Sequence, residues 1–367
     1  MRAEPLLVAA LGGESVPWPA DAGPAFESEV FAAAVDHGVA ALLASAKAVT
    51  RWPESLRLTL QDARRLAAAA EVIQRQDLIR LLEALGQADV RCLLLKGAQL
   101  AYTHYRQPWL RPRFDTDLLI EPGERGRADA VLRGLGYVPS AQVSGTLVAH
   151  QVQYQRRNRY GLTDTVDLHW KVTNPHVFAD ALTFDELMAA ARAVPQLGDC
   201  ARGPSTVHAL ILACVHRVAH HHDCDQLIWL YDIHLLVGAM APGERTEFLD
   251  QARAKRLRSI SASGLTRAQM QFGTQHPAGW LDRLQTGGDA GAEPTAVFLR
   301  QGLRRIDILK SDLRAVRGWA RKIRLIREHL FPPAAFVRAR YGSGTPLLLA
   351  YVDRILGGVG KWFRALS

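Results

Sequence analysis

Apolar residues recur at helical spacing from residue 26 to about residue 86. Phe31, Val35, Val39 and Leu42-Leu43 form one set; Leu58, Leu60, Ile73, Leu78, Leu81 and Leu82 continue it. Spacings of three and four place such residues on one helix face. Gly86 is a fitting helix stop. The period then changes. Val90-Arg91-Cys92-Leu93-Leu94-Leu95 is a short apolar run ending in Lys96-Gly97, the mark of a buried strand entering a tight turn. Residues 98–105 predict a helix. Phe114-Asp115-Thr116-Asp117-Leu118-Leu119-Ile120 predicts the next strand, closed by the turn Glu121-Pro122-Gly123. A helix over 125–135, stopped by Gly136, and strands at 152–156 and 165–170 follow.

Beyond residue 178 the pattern is helical again. Pro204-Ser205 opens a long helix with Ser205 as its N-cap. Residues 227–236 make another, and helical spacing continues through Phe248, Leu257, Leu265 and Leu281. Residues 286–295 read as a loop. Residues 347–366 predict a last amphipathic helix, with Gly357, Gly358 and Gly360 as points where it could break. The expected fold class is α+β: a small mixed β-sheet core with N-terminal helices and a large C-terminal helical region. The expected units are an N-terminal helical region (1–88), an α/β core (89–175), a helical domain (176–300) and basic C-terminal helices (301–367).

Composition fits a globular chain: 48% of the 367 residues are hydrophobic and 22% charged. Cys92, Cys200, Cys214 and Cys224 show no pairing pattern, which suits reduced thiols in a cytoplasmic protein. The N-terminal apolar run is too short for a membrane span and weak as a signal peptide. Charge changes the picture more. Residues 301–340 hold 11 Lys/Arg against 3 Asp/Glu, a surplus of +8 in a chain of net charge +9. The basic character therefore belongs to one segment. A solvated surface is the simplest reading; an acidic partner, nucleic acid or an anionic membrane surface are the others. Aromatic residues there are too sparse for a base-stacking surface.

The candidate chemistry lies in the predicted sheet. On a strand, Asp115 and Asp117 share a face, because side chains alternate with period 2. Two carboxylates so placed repel, and a cation beside them relieves it; Mg²⁺ suits oxygen ligands. Upstream, Gly97 lets the backbone approach a phosphate, the following helix offers free N–H groups, and Lys96 adds positive charge. Arg111 lies between the two elements and can face phosphates. In Val166-Asp167-Leu168-His169-Trp170 the apolar residues suit a core, leaving Asp167 and His169 on the other face. His169 could line the cleft or pack in the core.

These residues carry a resemblance. Leu94-Leu95-Lys96-Gly97, Arg111-Pro112-Arg113-Phe114-Asp115-Thr116-Asp117-Leu118-Leu119 and Val166-Asp167-Leu168-His169-Trp170 resemble an uncharacterised bacterial nucleotidyltransferase family of the polymerase β superfamily, often found in biosynthetic gene clusters. The stretch from Ala34 to Leu43 is similar to its N-terminal helical signature, and residues 214–220 and 227–235, with Asp232, to its later helices. The resemblance implies that Asp115 and Asp117 hold metal, Mg²⁺ or Mn²⁺, and that Asp167 holds a second metal or activates the acceptor. The residues expected on the nucleotide are Lys96, Gly97, Arg111 and His169. Most of the superfamily has Gly-Gly or Gly-Ser where this chain has Lys96-Gly97-Ala98, so a phosphate-touching Ser hydroxyl is absent.

His216, His220, His221, His222, Asp223 and Cys224 form a second cluster. Its readings, in order, are a solvated helix end, a lining of the nucleotide cleft and a zinc site. The expected function is transfer of a nucleoside monophosphate from an NTP, ATP first, to an acceptor hydroxyl of a small molecule, sugar or protein. The rivals are an inactive nucleotide-binding scaffold and a nucleic-acid-modifying transferase. The expected location is cytoplasmic, with peripheral membrane contact as the variant the basic segment allows.

Overall fold

The computed structural model describes residues 2–14, 16–140, 147–219, 226–286, 293–342 and 344–364. Four helices lead: α1 (Ala3–Leu11), α2 (Pro24–Asp36), α3 (Ala40–Leu43) and α4 (Glu54–Gln87). The stripe read across 31–43 is divided between α2 and α3 by Gly38, at φ +70°. Val30 and Ala34 therefore carry the buried face of α2, and Val35 is exposed. The 34 residues of α4 span roughly 50 Å. Its start packs Leu56 and Leu60 into a helical core, and its end packs Leu78, Leu81, Leu82 and Leu85 against the sheet.

The sheet comprises β1 (Cys92–Leu94), β2 (Thr116–Ile120), β3 (Val138–Pro139), β4 (Gln151–Arg157) and β5 (Thr163–His169), in the order β1-β2-β5-β4-β3. Only β2 and β5 pair in parallel; the other pairs are antiparallel. Helices α5 (Lys96–Thr103) and α6 (Arg125–Gly134) follow β1 and β2. Alternation divides the sheet. Leu94, Leu118, Ile120, Val166 and Leu168 enter one core with α4 and α6; Leu93 and Leu119 enter the other.

That second core also takes in α1 to α3 and the later helices α9 (Thr206–Ala219), α10 (Leu227–Ala239), α11 (Pro242–Ala254), α12 (Arg258–Phe272) and α13 (Trp280–Gln285). Short helices α7 (His176–Ala179) and α8 (Phe184–Ala189) and the hairpin β6 (Arg192–Ala193) and β7 (Arg202–Gly203) connect the sheet to α9. Ser205 Oγ accepts from His208 N at 3.3 Å, as a cap does.

The chain ends in α14 (Arg305–Ala315), α15 (Trp319–Leu330), α16 (Ala334–Tyr341) and α17 (Leu347–Phe363). The glycines at 357, 358 and 360 do not interrupt α17. These helices hold the segment that leads into β4 and the start of α7. Leu147, Val316 and Leu325 form a small core. Glu328 Oε2 accepts from Leu147 N and Val148 N at 2.9 and 3.2 Å, and Asp312 Oδ1 from His176 N at 2.7 Å. The fold is α+β, as expected.

Candidate active site

Asp117 and Asp167 are register partners on the parallel strands β2 and β5, and His169 follows two residues later opposite Leu119. Period 2 puts all three on one sheet face, while Val166 and Leu168 fill the core on the other. Ligand atoms of Asp117, Asp167 and His169 lie within 4.8 Å of one another, and all three residues are buried. Trp170 stands just past β5, half-buried, with the Arg125 guanidinium 4.9 Å from its ring centre. Asp115 precedes β2, whose first residue is Thr116, and is exposed. The pair is thus one strand residue and one residue at the strand's mouth.

The electrostatics separate the three carboxylates. Asp117 is desolvated, which raises its pKa, but Lys96 and His169 outweigh this and hold it well below the usual carboxylate range. Lys96 Nζ donates to Asp117 Oδ1 at 2.6 Å, and His169 Nε2 donates to the same oxygen at 2.8 Å. An ionised carboxylate only accepts, so Nε2 carries the imidazole proton. Asp115 is raised to about 6, by desolvation first and by the charges of Asp117 and Asp167 next. Desolvation and Asp117 also raise Asp167. Gln151 Nε2 donates to Asp167 Oδ2 at 3.1 Å, and Gln151 is in turn approached by Asn174.

Lys96 opens α5 in the left-handed region, at φ +52°. Gly97 follows and is backed by a guanidinium: a Cβ there would lie 3.1 Å from Arg111 Cζ and Nη1. Arg111 is buried and held by Asp232 of α10. Its Nε donates to Oδ1 at 2.9 Å and its Nη2 to Oδ2 at 2.8 Å. Tyr105 Oη donates to the same carboxylate at 2.7 Å. Desolvation lowers the Arg111 pKa, and Asp232 more than restores it. Arg111 is therefore a fixed charge beneath the start of α5. Lys96, Arg111, Asp232 and His216 line a cavity of about 20 Å³, room for about one water. His216 meets the Trp229 ring edge-on at 5.4 Å. His220, His221, His222, Asp223 and Cys224 lie outside the described residues.

Two supporting residues escaped the reading of the sequence. Asp232 appeared there only as part of a resemblance, and its contact with Arg111 spans 121 positions. Glu71 of α4 accepts from Arg113 Nη1 at 2.9 Å and from Tyr102 Oη, tying the loop before β2 to the helix beneath it. The one signal available was a Glu inside the apolar run from Leu66 to Ile73.

The donor set fits a divalent cation. Asp167 Oδ1 and His169 Nδ1 are buried and without a hydrogen-bond partner, and buried polar atoms ordinarily have one. Two carboxylates and an imidazole suit Mn²⁺ or a similar metal; with Asp115 the carboxylates alone suit Mg²⁺.

No curated protein matches the chain. Residues 25–273 match the family described as uncharacterised nucleotidyltransferase. The match takes in α5, β2, β5 and α10, the elements that build this site, and the chain belongs to that family.

Proposed function

We propose that the chain moves a nucleoside monophosphate from an NTP, ATP in the first instance, to an acceptor hydroxyl. The acceptor oxygen bonds to the α-phosphorus, the bond to the β-phosphate bridge breaks, and pyrophosphate leaves. The observation that carries this is the convergence of Asp117, Asp167 and His169 on one buried patch, with Asp115 at its mouth, in a chain of this family. Asp115, Asp117 and Asp167 would hold Mg²⁺ or Mn²⁺, which when bound offsets the charge of the phosphates.

The other roles fall to side chains and backbone. The start of α5 presents N–H groups to the triphosphate, and Lys96 adds its ammonium. Arg111, fixed by Asp232, adds charge from below without leaving its partner. His169 Nε2–H orients Asp117. Asp167, the register partner of Asp117, can take the proton of the acceptor hydroxyl. The acceptor itself belongs to the class of small molecules, sugars or protein side chains bearing a hydroxyl.

One observation favours a second reading, nucleotide binding without turnover. Lys96 Nζ stands on Asp117 Oδ1, one of the atoms the metal would use. Incubation with each α-labelled triphosphate and Mg²⁺ or Mn²⁺ in cell extract separates the two. Transfer of label with pyrophosphate release, lost in Asp117→Asn and in Asp167→Ala while Asp167→Ala still binds ATP, supports the transferase. ATP binding with no pyrophosphate from any nucleotide supports the scaffold.

A further inference from the structure

Residues 301–367 lie beyond the family match and hold the charged segment of the chain. Their helices have a feature the nucleotide site does not use. On α15, Trp319, Ile323 and Ile326 are spaced by four and three, and so form one stripe. Trp319 is 81% exposed and Ile323 64%. Leu325, on a different side of the same helix, is the residue that packs against Leu147 and Val316. The helix therefore has one apolar face in the protein and another facing out. Arg321, Arg324 and Arg327 are exposed around the outer stripe.

Helix α17 repeats the arrangement. Leu348, Leu349, Val352 and Leu356 fall on one side, with Leu348 76% and Leu356 69% exposed. Ala350 is buried on the opposite side. The two helices meet where His329 packs on Trp362 at 5.8 Å and Phe331 on Tyr351 at 5.7 Å. Phe331 is itself exposed.

We propose that α15 and α17 dock this protein on the surface of an anionic lipid bilayer. The apolar stripes would enter the boundary between headgroups and acyl chains, and the surrounding arginines would meet lipid phosphate. Exposed aliphatic and Trp side chains flanked by Arg and Lys are what interfacial helices present, and basic segments are drawn to anionic leaflets. A second copy would bring two +8 segments together, so charge opposes self-association through this face. Nucleic acid would complement the charge, but the stripes are aliphatic, and Lys322 Nζ already lies 5.5 Å from the ring centre of Trp319, the aromatic side chain on the α15 stripe. No described helix is long and apolar enough to cross a membrane, which fits a contact that lies on the surface. The proposal stands independently of nucleotidyl transfer.

Flotation of the full-length protein with vesicles tests it. Vesicles of phosphatidylcholine alone are compared with vesicles that also contain phosphatidylglycerol. Binding should be at least about tenfold tighter on the second, and should fall as salt rises. Ile323→Glu combined with Leu348→Glu should weaken it about tenfold or more at low salt. The melting temperature should not move, because both side chains are exposed. Tryptophan emission should be quenched by lipid brominated in its acyl chains, and less so in Trp319→Phe. Failure to float with either vesicle would overturn the proposal, as would floating undiminished by the double substitution. So would dimerisation seen by light scattering, or RNA binding, that the double substitution abolishes.

Discussion

Lys96 is an L-residue held at φ +52°, a conformation that costs about 1–2 kcal/mol. Its ammonium sits on Asp117, whose charge raises the pKa of Asp115 and of Asp167. It thus neutralises the patch when metal is absent, and competes with metal for the same oxygen. Lys96→Met should lower the stability of the metal-free protein by about 3 kcal/mol, because a buried carboxylate loses its partner. It should also tighten Mn²⁺ binding several-fold in the absence of nucleotide. Thermal unfolding with and without Mn²⁺ reads both effects, and an unchanged metal affinity would remove the competition. Lys96→Gly, which also relieves the backbone, should be more stable than Lys96→Met by about 1 kcal/mol. Gly97 is constrained differently. A Cβ there meets a guanidinium that Asp232 holds in place. Gly97→Ala should cost about 1–3 kcal/mol by overpacking, measured by urea denaturation, and should weaken ATP binding.

At the scale of elements, the site is a product of which strands are neighbours. Asp117 and Asp167 are 50 positions apart, yet the parallel pairing of β2 with β5 makes them register partners. Helix α10 adds a constraint from outside the sheet, since Asp232 fixes Arg111 and Tyr105 together. Removing one partner of a buried ion pair leaves the other charge unpaired and costs about 3–5 kcal/mol. Asp232→Ala should therefore destabilise by that amount in chemical denaturation. It should also loosen α5 against α10, so ATP affinity should fall although Asp232 is no phosphate ligand. A near-neutral Asp232→Ala would show that the ion pair neither stabilises the protein nor positions Arg111.

At the scale of the whole molecule, α14 clamps the start of α7, and α15 clamps the segment leading into Gln151, the residue bonded to Asp167. Part of this clamp titrates. Desolvation raises the Asp312 pKa from 3.8 to about 7, against the opposing bond from His176 N. Because the folded pKa lies above the unfolded one, the stability Asp312 contributes is complete below about pH 4 and declines as pH rises through about 7. Between pH 5 and pH 8 the wild type should lose about 2–3 kcal/mol more than Asp312→Asn. Denaturation curves at the two pH values test this. Equal losses in both proteins would mean that Asp312 is ionised without penalty.

The sequence by itself determined what alternation and helical period encode. Asp167 and His169 were placed on one face of their strand, and Val166 and Leu168 on the other, because a strand's side chains alternate whatever its neighbours are; that Asp117 joins them followed only from the pairing of β2 with β5. The order of helices, small sheet and further helices followed from the change of period at residue 90. The basic segment was visible as charge alone. Tertiary structure decided what each charge meets. Lys96 reaches Asp117 across 21 positions, and Arg111 reaches Asp232 across 121; pairings at such separations are set by packing, which no local pattern records. It also decided that Asp115 stands outside β2, and that α17 runs on through its glycines. For α15, composition showed the arginines, but only burial showed that Leu325 faces the protein while Trp319 and Ile323 face away. An apolar residue's side of a helix is legible in sequence; whether protein or solvent covers that side depends on where the helix docks.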